Sequence, residues 1–458
     1  MYTSFGAAES DERIRKVITT AFRRLVAIVA TAALAAVGLA AVTVPAANAA
    51  SDPALGVTLA QVGNYLLLGG QGSDNQGVVY FQVVGTSGWS EAQNTQPNTV
   101  YSPVSITALT DGGSTLVAMV AEGANNSLNL WWQNALGPCG TNGCPNIQET
   151  WNQEELGGAG STYSTPSIIQ IDNDVVVAAE GPNNELSIWW QQIGAQGWHK
   201  INQFSYDVYS QPTMADTYGF LSIAFEYAGP ADGCPCTPGQ DFDFCDPATL
   251  YTEQTVADLK EPWPLVWPSN PCIWTGGGTP TGAKNSLGFL LPMAPAMAEY
   301  DEASGEGNGG FIVAPGKDDG LDSWTPYPAA NPSSSNPQGL NLTTSDAIKG
   351  SVVSGLSVAG FDNGLVGAAS VGSGDLYFDW TNGNDSQWTN SARFVIANSQ
   401  YVGQPSLIPV SDSTTNSQLV LLAGEDTCGG AEVNWQNLGS STWQSAGSFP
   451  EGTFSSNC

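Results

Sequence analysis

A hairpin, a strand and a closing tryptophan recur along this chain, and that recurrence limits its possible folds more than any other feature. Residues 181–198 read GPNNELSIWWQQIGAQGW: a turn at Pro182-Asn183-Asn184, an apolar strand ending in Trp189-Trp190, a glycine-bearing loop and a lone Trp198. Asn tolerates the left-handed backbone that tight hairpins demand, so a hairpin is expected at Asn183-Asn184. The run before it, DVVVAAEG at 174–181, is rich in β-branched and small residues and supplies the partner strand. Residues 123–133 (GANNSLNLWWQ) repeat the hairpin, and Trp151 closes that unit late. Residues 77–89, 375–388 and 431–443 repeat strand, polar loop and tryptophan, and degraded copies stand at 264–274 and 310–324. The closing tryptophans are then Trp89, Trp151, Trp198, Trp274, Trp324, Trp388 and Trp443, separated by 62, 47, 76, 50, 64 and 55 residues. Seven strand-rich units, with loops inserted into a regular core, predict a repeat architecture whose closed form is a propeller. The expected fold class is all-β: a seven-bladed β-propeller of four-stranded blades after a cleaved signal peptide.

A second recurrence supports the first. YSPVSI begins at Tyr101, YSTPSI at Tyr163 and YSQPTM at Tyr209, and QPSLIPV follows Tyr401. Proline is tolerated at the start of a strand and hardly elsewhere in a sheet, so these phrases mark the start of units. The units are expected at about 54–98, 99–160, 161–206, 207–277, 278–330, 345–396 and 397–458, within a single domain from 50 to 458. Residues 326–346, rich in Pro, Ser and Asn, read as a connector.

Residues 1–49 stand apart as a signal peptide. Arg13, Arg15, Lys16, Arg23 and Arg24 precede an uncharged run from 25 to 44, and Ala47-Asn48-Ala49 forms a small-x-small cleavage triplet. A retained anchor is the alternative, but alanine is weakly hydrophobic. No later stretch approaches the ~20 apolar residues of a spanning helix, so no stable membrane insertion is expected after cleavage. The reading is a secreted protein. The segment holds 5 of the 11 Lys+Arg and 3 of the 42 Asp+Glu, leaving 6 basic against 39 acidic residues, or about −33. That charge repels polyanions and offers no basic patch for nucleic acid.

Eight cysteines in an exported chain read as four disulfides. Cys139 with Cys144 and Cys428 with Cys458 are the expected pairs, with two more bonds among Cys234, Cys236, Cys245 and Cys272. Zinc at the latter four is the alternative, disfavoured by the export signal and the lack of a nearby histidine. The single histidine, His199, is either a general base or a polar strand residue at the rim, and the second is favoured. No nucleophile elbow, zinc-protease, Walker or dinucleotide motif occurs, and no cofactor is implied. The acidic loops 241–246 and 318–322 lack the spacing of a known calcium loop.

The recurring chemistry is a glutamate expected at the end of the second strand of most units: Glu122, Glu180, Glu226, Glu299 and Glu425, with Gln71 and Ser370 in the remaining two. Aromatics follow on the return strand: Trp131-Trp132, Trp189-Trp190, Trp380 and Trp435. A carboxylate accepts hydrogen bonds from neighbouring hydroxyls, and an indole is an apolar platform with a donor at its edge, which together suit a sugar ring. The alternative is structural, with glutamates tying strands to the next unit and tryptophans wedging sheets apart.

The run from WNQEELGGAGSTYSTPSI to EGPNNELSIWWQ resembles the repeat of bacterial seven-bladed β-propeller lectins, including fucose-binding ones. In that repeat Trp-x-x-x-x-Leu-Gly-Gly leads into Ser-x-Pro, a strand, a polar turn and an aromatic strand. The resemblance is strong in units two and three, partial in one, six and seven, and poor in four and five. It implies carbohydrate recognition between neighbouring blades. Where lectin repeats often carry a basic residue after the second strand, this chain has Glu, which points away from fucose. The expected function is a non-catalytic, multivalent binder of neutral glycans, with ligand-binding residues Glu122, Trp131, Trp132, Glu180, Trp189, Trp190, Glu425 and Trp435. A glycoside hydrolase or lyase on the same scaffold, or a cell-surface protein-binding scaffold, is the alternative.

Overall fold

Strands that alternate apolar residues on both faces must be covered on both, and this chain does so by standing sheet against sheet. The computed structural model describes residues 56–111, 114–134, 150–204, 208, 210–217, 220–227, 248–255, 294–301, 308–315, 321–326, 340–347, 355–361, 364–382, 388–395, 400–412 and 417–455. Among these, the strands form seven antiparallel sheets at 58–91, 105–157, 167–204, 213–255, 296–347, 355–394 and 401–449, here sheets one to seven. Six have four strands in sequence order, and three strands of sheet four are described. Helix among the described residues is confined to the single turns Ala124–Asn126 and Pro182–Asn184. The sheets belong to one compact unit, 51–194 with 198–458.

Alternation divides each strand between two cores. In sheet three, Val176, Ala178, Ile188 and Trp190 pack with Leu221, Ile223 and Phe225 of sheet four. Val175, Val177, Ala179 and Trp189 pack on the other side with Ala118, Val120 and Leu130 of sheet two. Like cores join sheets one and two, five and six, six and seven, and seven and one. The first strand of each sheet lies against the first strand of the next, and Tyr401–Asp412 of sheet seven lies against Thr58–Val62 of sheet one.

The closing tryptophans stand immediately before the outer strands Ser90–Glu91, Asn152–Gly157, His199–Phe204, Thr389–Phe394 and Gln444–Phe449. Each reaches back to the preceding sheet. Trp89 Nε1 donates to Ala446 O of sheet seven at 3.2 Å, Trp151 to Gln93 O at 2.6 Å, and Trp388 to Ser323 Oγ of sheet five at 3.2 Å. Trp198 and Trp443 pack into the cores shared with sheets two and six. A glutamine clamp that the sequence did not announce adds to this. Gln170 of sheet three bonds both Thr110 N and Thr110 O of sheet two, at 2.6 and 3.0 Å. Gln61 of sheet one does the same to Ser411 of sheet seven, at 2.9 Å for both bonds.

Left-handed asparagines in the hairpins turn carbonyls toward the next connector. Asn125, Asn126, Asn183 and Asn184 have φ of 58°, 60°, 60° and 58°. Asn125 O accepts from Gly160 N, and Asn126 O accepts from Ser161 N and Thr162 N. Tyr163 N then donates to Glu180 O of its own sheet at 2.9 Å. The connector into sheet two repeats this: Thr99 N and Val100 N bond Asn75 O, and Tyr101 N bonds Glu122 O. At the junction of sheets seven and one, the C-terminal segment takes the same part. Phe454 N donates to Gly429 O in the hairpin of sheet seven, and Ser455 N donates to Gln71 O of sheet one. Phe454 is fully buried, and Gly70 leaves the space its ring fills, since a Cβ there would lie 2.5 Å from the ring.

Sheets five and six depart from expectation. Residues 340–347, read as connector, form the outer strand of sheet five, so Trp324 sits within its third strand, opposite Ile312. Glu299 lies on the first strand of sheet five, Ala296–Asp301, and not at the end of a second strand. Ser370 follows Val366 and Ala368, which pack toward sheet five, so it faces backward where Gln71 faces the following sheet. Residues 1–49, expected to be a signal peptide, the copy at 264–274, the loop at 241–246 and seven cysteines (Cys139, Cys144, Cys234, Cys236, Cys245, Cys272 and Cys458) lie outside the described residues. Cys428 is described and is disulfide-bonded.

Candidate functional site

At the junctions of sheets one and two, two and three, and seven and one, the end of the second strand, the hairpin beyond it and the incoming segment meet at one end. Glu122 ends the strand Ser114–Glu122 two residues after Val120, whose side chain packs with sheet three, so its carboxyl faces that sheet. Glu180 likewise follows Val176 and Ala178 and faces sheet four, and Glu425 follows Leu421 and Ala423 and faces sheet one. Gln71 follows Tyr65 and Leu67 and faces sheet two. All four polar groups therefore point into the junction with the following sheet.

The backbones of Glu122 and Glu180 are held alike. Ser102 Oγ accepts from Glu122 N at 3.0 Å, and Ser164 Oγ from Glu180 N at 3.1 Å. This is the role of the recurrent Tyr-Ser phrase: the tyrosine amide takes the glutamate carbonyl and the serine hydroxyl takes its amide. The Glu122 carboxyl accepts from Asn126 Nδ2 at 2.8 Å. Burial raises the pKa of Glu122 to about 7. Burial, with a smaller contribution from the charge of Glu122, raises that of Glu180 to about 8. The two carboxyls thus sense each other across sheet three, and each holds a proton over part of the neutral range. A protonated carboxyl both donates and accepts, which suits the hydroxyls of a sugar. In sheet one, Gln71 spends its amide internally, donating to Asn75 Oδ1 and Val100 O at 3.0 Å each.

Glu425 is more deeply set, at 2% exposure. Burial raises its pKa to about 8, against a hydrogen bond from the Gly56 amide that lowers it. Nearby, Tyr401 donates its hydroxyl to Glu432 Oε2 at 2.8 Å. Glu226 sits near the end of the strand Phe220–Tyr227, opposite Thr249.

The tryptophans divide by face. Trp131 and Trp189 are each 1% exposed, within the cores between sheets one and two and between sheets two and three. Their position belongs to the wedge alternative, because neither indole presents a face to solvent. Trp190 is nearly buried and stacks on His199, with centroids 4.4 Å apart and planes at 21°. His199 pairs in register with Trp190 on the outer strand, which places it at the rim. Lys200 Nζ lies 4.8 Å from the Trp189 ring centroid. Trp132 and Trp435 are half-buried, packed against the cores shared with sheets three and one. The glutamates and the paired tryptophans therefore do not gather into one pocket. Among the described residues, the large apolar side chains left open are Tyr101, Tyr163, Trp380 and Val395, and the first two belong to the Tyr-Ser phrase.

No family model matches the chain, and no curated protein does. Solved structures do. The BP39L lectin of Burkholderia pseudomallei aligns over 86% of this chain and 99% of its own, at TM-score 0.58 and 12% identity. AofleA from Arthrobotrys oligospora covers 86% of this chain and 85% of its own, at TM-score 0.43 and 12% identity. A polysaccharide lyase, the PL25 ulvan lyase, covers 80% and 88%, at TM-score 0.48 and 12% identity. The chain resembles β-propeller lectins, and its fold is all-β and propeller-like.

Proposed function

We propose that this chain is a secreted seven-bladed β-propeller that binds neutral glycans at several junctions and does not cleave them. The observation that carries the reading is the repeated glutamate at the junctions of a repeating scaffold, at Glu122 and again at Glu180, each held by the same Tyr-Ser clamp. Repetition suits a multivalent binder, because catalysis needs one site only. The lectin likeness adds support at the level of fold. The net charge of −31 disfavours sialylated and sulfated ligands. The binding residues proposed are Glu122, Glu180 and the more enclosed Glu425 at the hairpin ends, with Trp132, Trp190 and Trp435 on the same faces but further along the strands. Trp131 and Trp189 support them from the core. The basic, uncharged and small-residue runs of 1–49 support export, and four disulfides fit that compartment.

A carbohydrate-cleaving enzyme is the second reading, and one observation favours it. A carboxyl that keeps its proton near neutral pH can protonate a glycosidic oxygen, and burial raises Glu122 to about 7 and Glu180 to about 8, at separate junctions. A printed array of neutral and acidic glycans, read beside a panel of chromogenic glycosides, separates the two. Binding of neutral glycans without turnover is expected. Turnover abolished by Glu180→Gln would establish the enzyme, and failure to bind any neutral glycan would overturn the lectin reading.

A further inference from the structure

We infer that Tyr163 is the stacking platform for a neutral pyranose at the junction of sheets two and three, and that Tyr101 offers an open ring without a carboxyl at the preceding junction, where Gln71 spends its amide internally. The inference rests on the glycan-binding reading and names the aromatic surface on which it acts. A sugar stacks its C–H face on a ring only where the ring is open to solvent. Tyr101 and Tyr163 are 39% and 36% exposed, whereas Trp131 and Trp189 are 1% exposed and Trp190 has one face covered by His199. Two equivalent positions in successive sheets keep a large ring exposed, although burying it would add stability.

The surroundings favour a sugar. Tyr163 hangs on a connector fixed at both ends, by Thr162 N on Asn126 O at 3.0 Å and by its own amide on Glu180 O at 2.9 Å. Its hydroxyl lies back over Gly160, where a Cβ would come within 3.3 Å of it. Gly160 has φ +75, which also favours glycine. The carboxyl of Glu122, on the hairpin side of that connector, has a second oxygen for ligand hydroxyls beyond the one bonded to Asn126. An open ring on a connector bonded to Asn126, which also holds a carboxyl that can donate or accept, suits a neutral pyranose with adjacent hydroxyls. Two other junctions among the described residues differ. Ser455 stands where sheets two and three have tyrosine, and Tyr401 is 1% exposed with its hydroxyl bonded to Glu432. The inference therefore places open stacking rings at Tyr101 and Tyr163, while the enclosed site proposed at Glu425, between sheets seven and one, has none.

The probe is the neutral oligosaccharide giving the strongest array signal with the wild-type protein, titrated against Tyr101→Ala, Tyr163→Ala, the double variant and Tyr163→Phe. Each alanine change is expected to weaken binding about tenfold, the loss of ~1.4 kcal/mol of stacking, while the phenylalanine variant binds within about threefold of wild type. On the unmutated protein, the same oligosaccharide should shield Tyr163 from nitration by tetranitromethane, read by peptide mass spectrometry. Undiminished binding by the double variant, or nitration of Tyr163 unaffected by saturating glycan, overturns the platform while leaving the lectin reading intact. A wild-type protein that binds no neutral glycan overturns both.

Discussion

At the scale of single residues, three buried or half-buried glutamates make stability depend on pH in an unusual direction. Glu425 has its pKa raised from 4.5 to about 8, so the folded chain holds a proton that the unfolded chain releases. Its stabilising contribution is complete below about pH 4.5 and is lost as pH rises through about 8. Glu122 and Glu180, raised to about 7 and about 8, act in the same sense. Urea unfolding at pH 5 and pH 8 should therefore show a less stable protein at the higher pH. Glu425→Gln should reduce that difference by on the order of 1 kcal/mol or more, since each unit of pKa shift is worth ~1.4 kcal/mol. An unchanged difference would mean that the buried carboxyl does not hold its proton. Packing gives a second test. Gly70→Ala places a Cβ 2.5 Å from the buried Phe454 ring and should cost ~1–3 kcal/mol in the same assay.

At the scale of elements, the unit of construction is one sheet plus the tryptophan and glutamine that reach back to its predecessor. Trp151→Ala should cost ~3–5 kcal/mol, because it empties core between sheets one and two and leaves Gln93 O without its donor. Gln170→Ala removes two exposed backbone bonds to Thr110 and should cost only ~1 kcal/mol by chemical denaturation. The tryptophans and Asn-Asn hairpins were legible in sequence because their chemistry is local: left-handed turns need Asn, and a wedge needs a large ring. The glutamine clamps and the Tyr-Ser hold on the glutamate backbone were not, since their partners lie in main chain far along the sequence. The recurring YS phrase was visible as a unit marker, but nothing local tells whether its tyrosine is buried or open. Similarly, WW at 131–132 and 189–190 looks like two platforms, whereas alternation sends its members to opposite faces and buries the odd-numbered ones. Glu299 was misplaced because long insertions precede sheet five and break the count of strands there.

At the scale of the whole molecule, the described sheets form a circuit in which each leans on its neighbours, and its seam differs from the other junctions. Between sheets seven and one, segment 452–455 supplies the hydrogen bonds that a continuous connector supplies elsewhere. Phe454→Ala, which leaves the chain end and Cys458 in place, should therefore lower the unfolding midpoint and speed hydrogen exchange first in Thr58–Val62 and Tyr65–Gln71, with an expected cost of ~3–5 kcal/mol. Uniform exchange across all sheets would argue that the seam is no weaker than the rest. Repetition around such a circuit would give the proposed sugar sites a fixed geometry. The most direct measurement is surface plasmon resonance against one neutral glycan immobilised at sparse and dense coverage, with the same glycan free in solution as competitor. The account predicts weak single-site binding and an apparent affinity at least ~100-fold tighter on the dense surface. Equal affinity at both densities, or no binding at either, would contradict it.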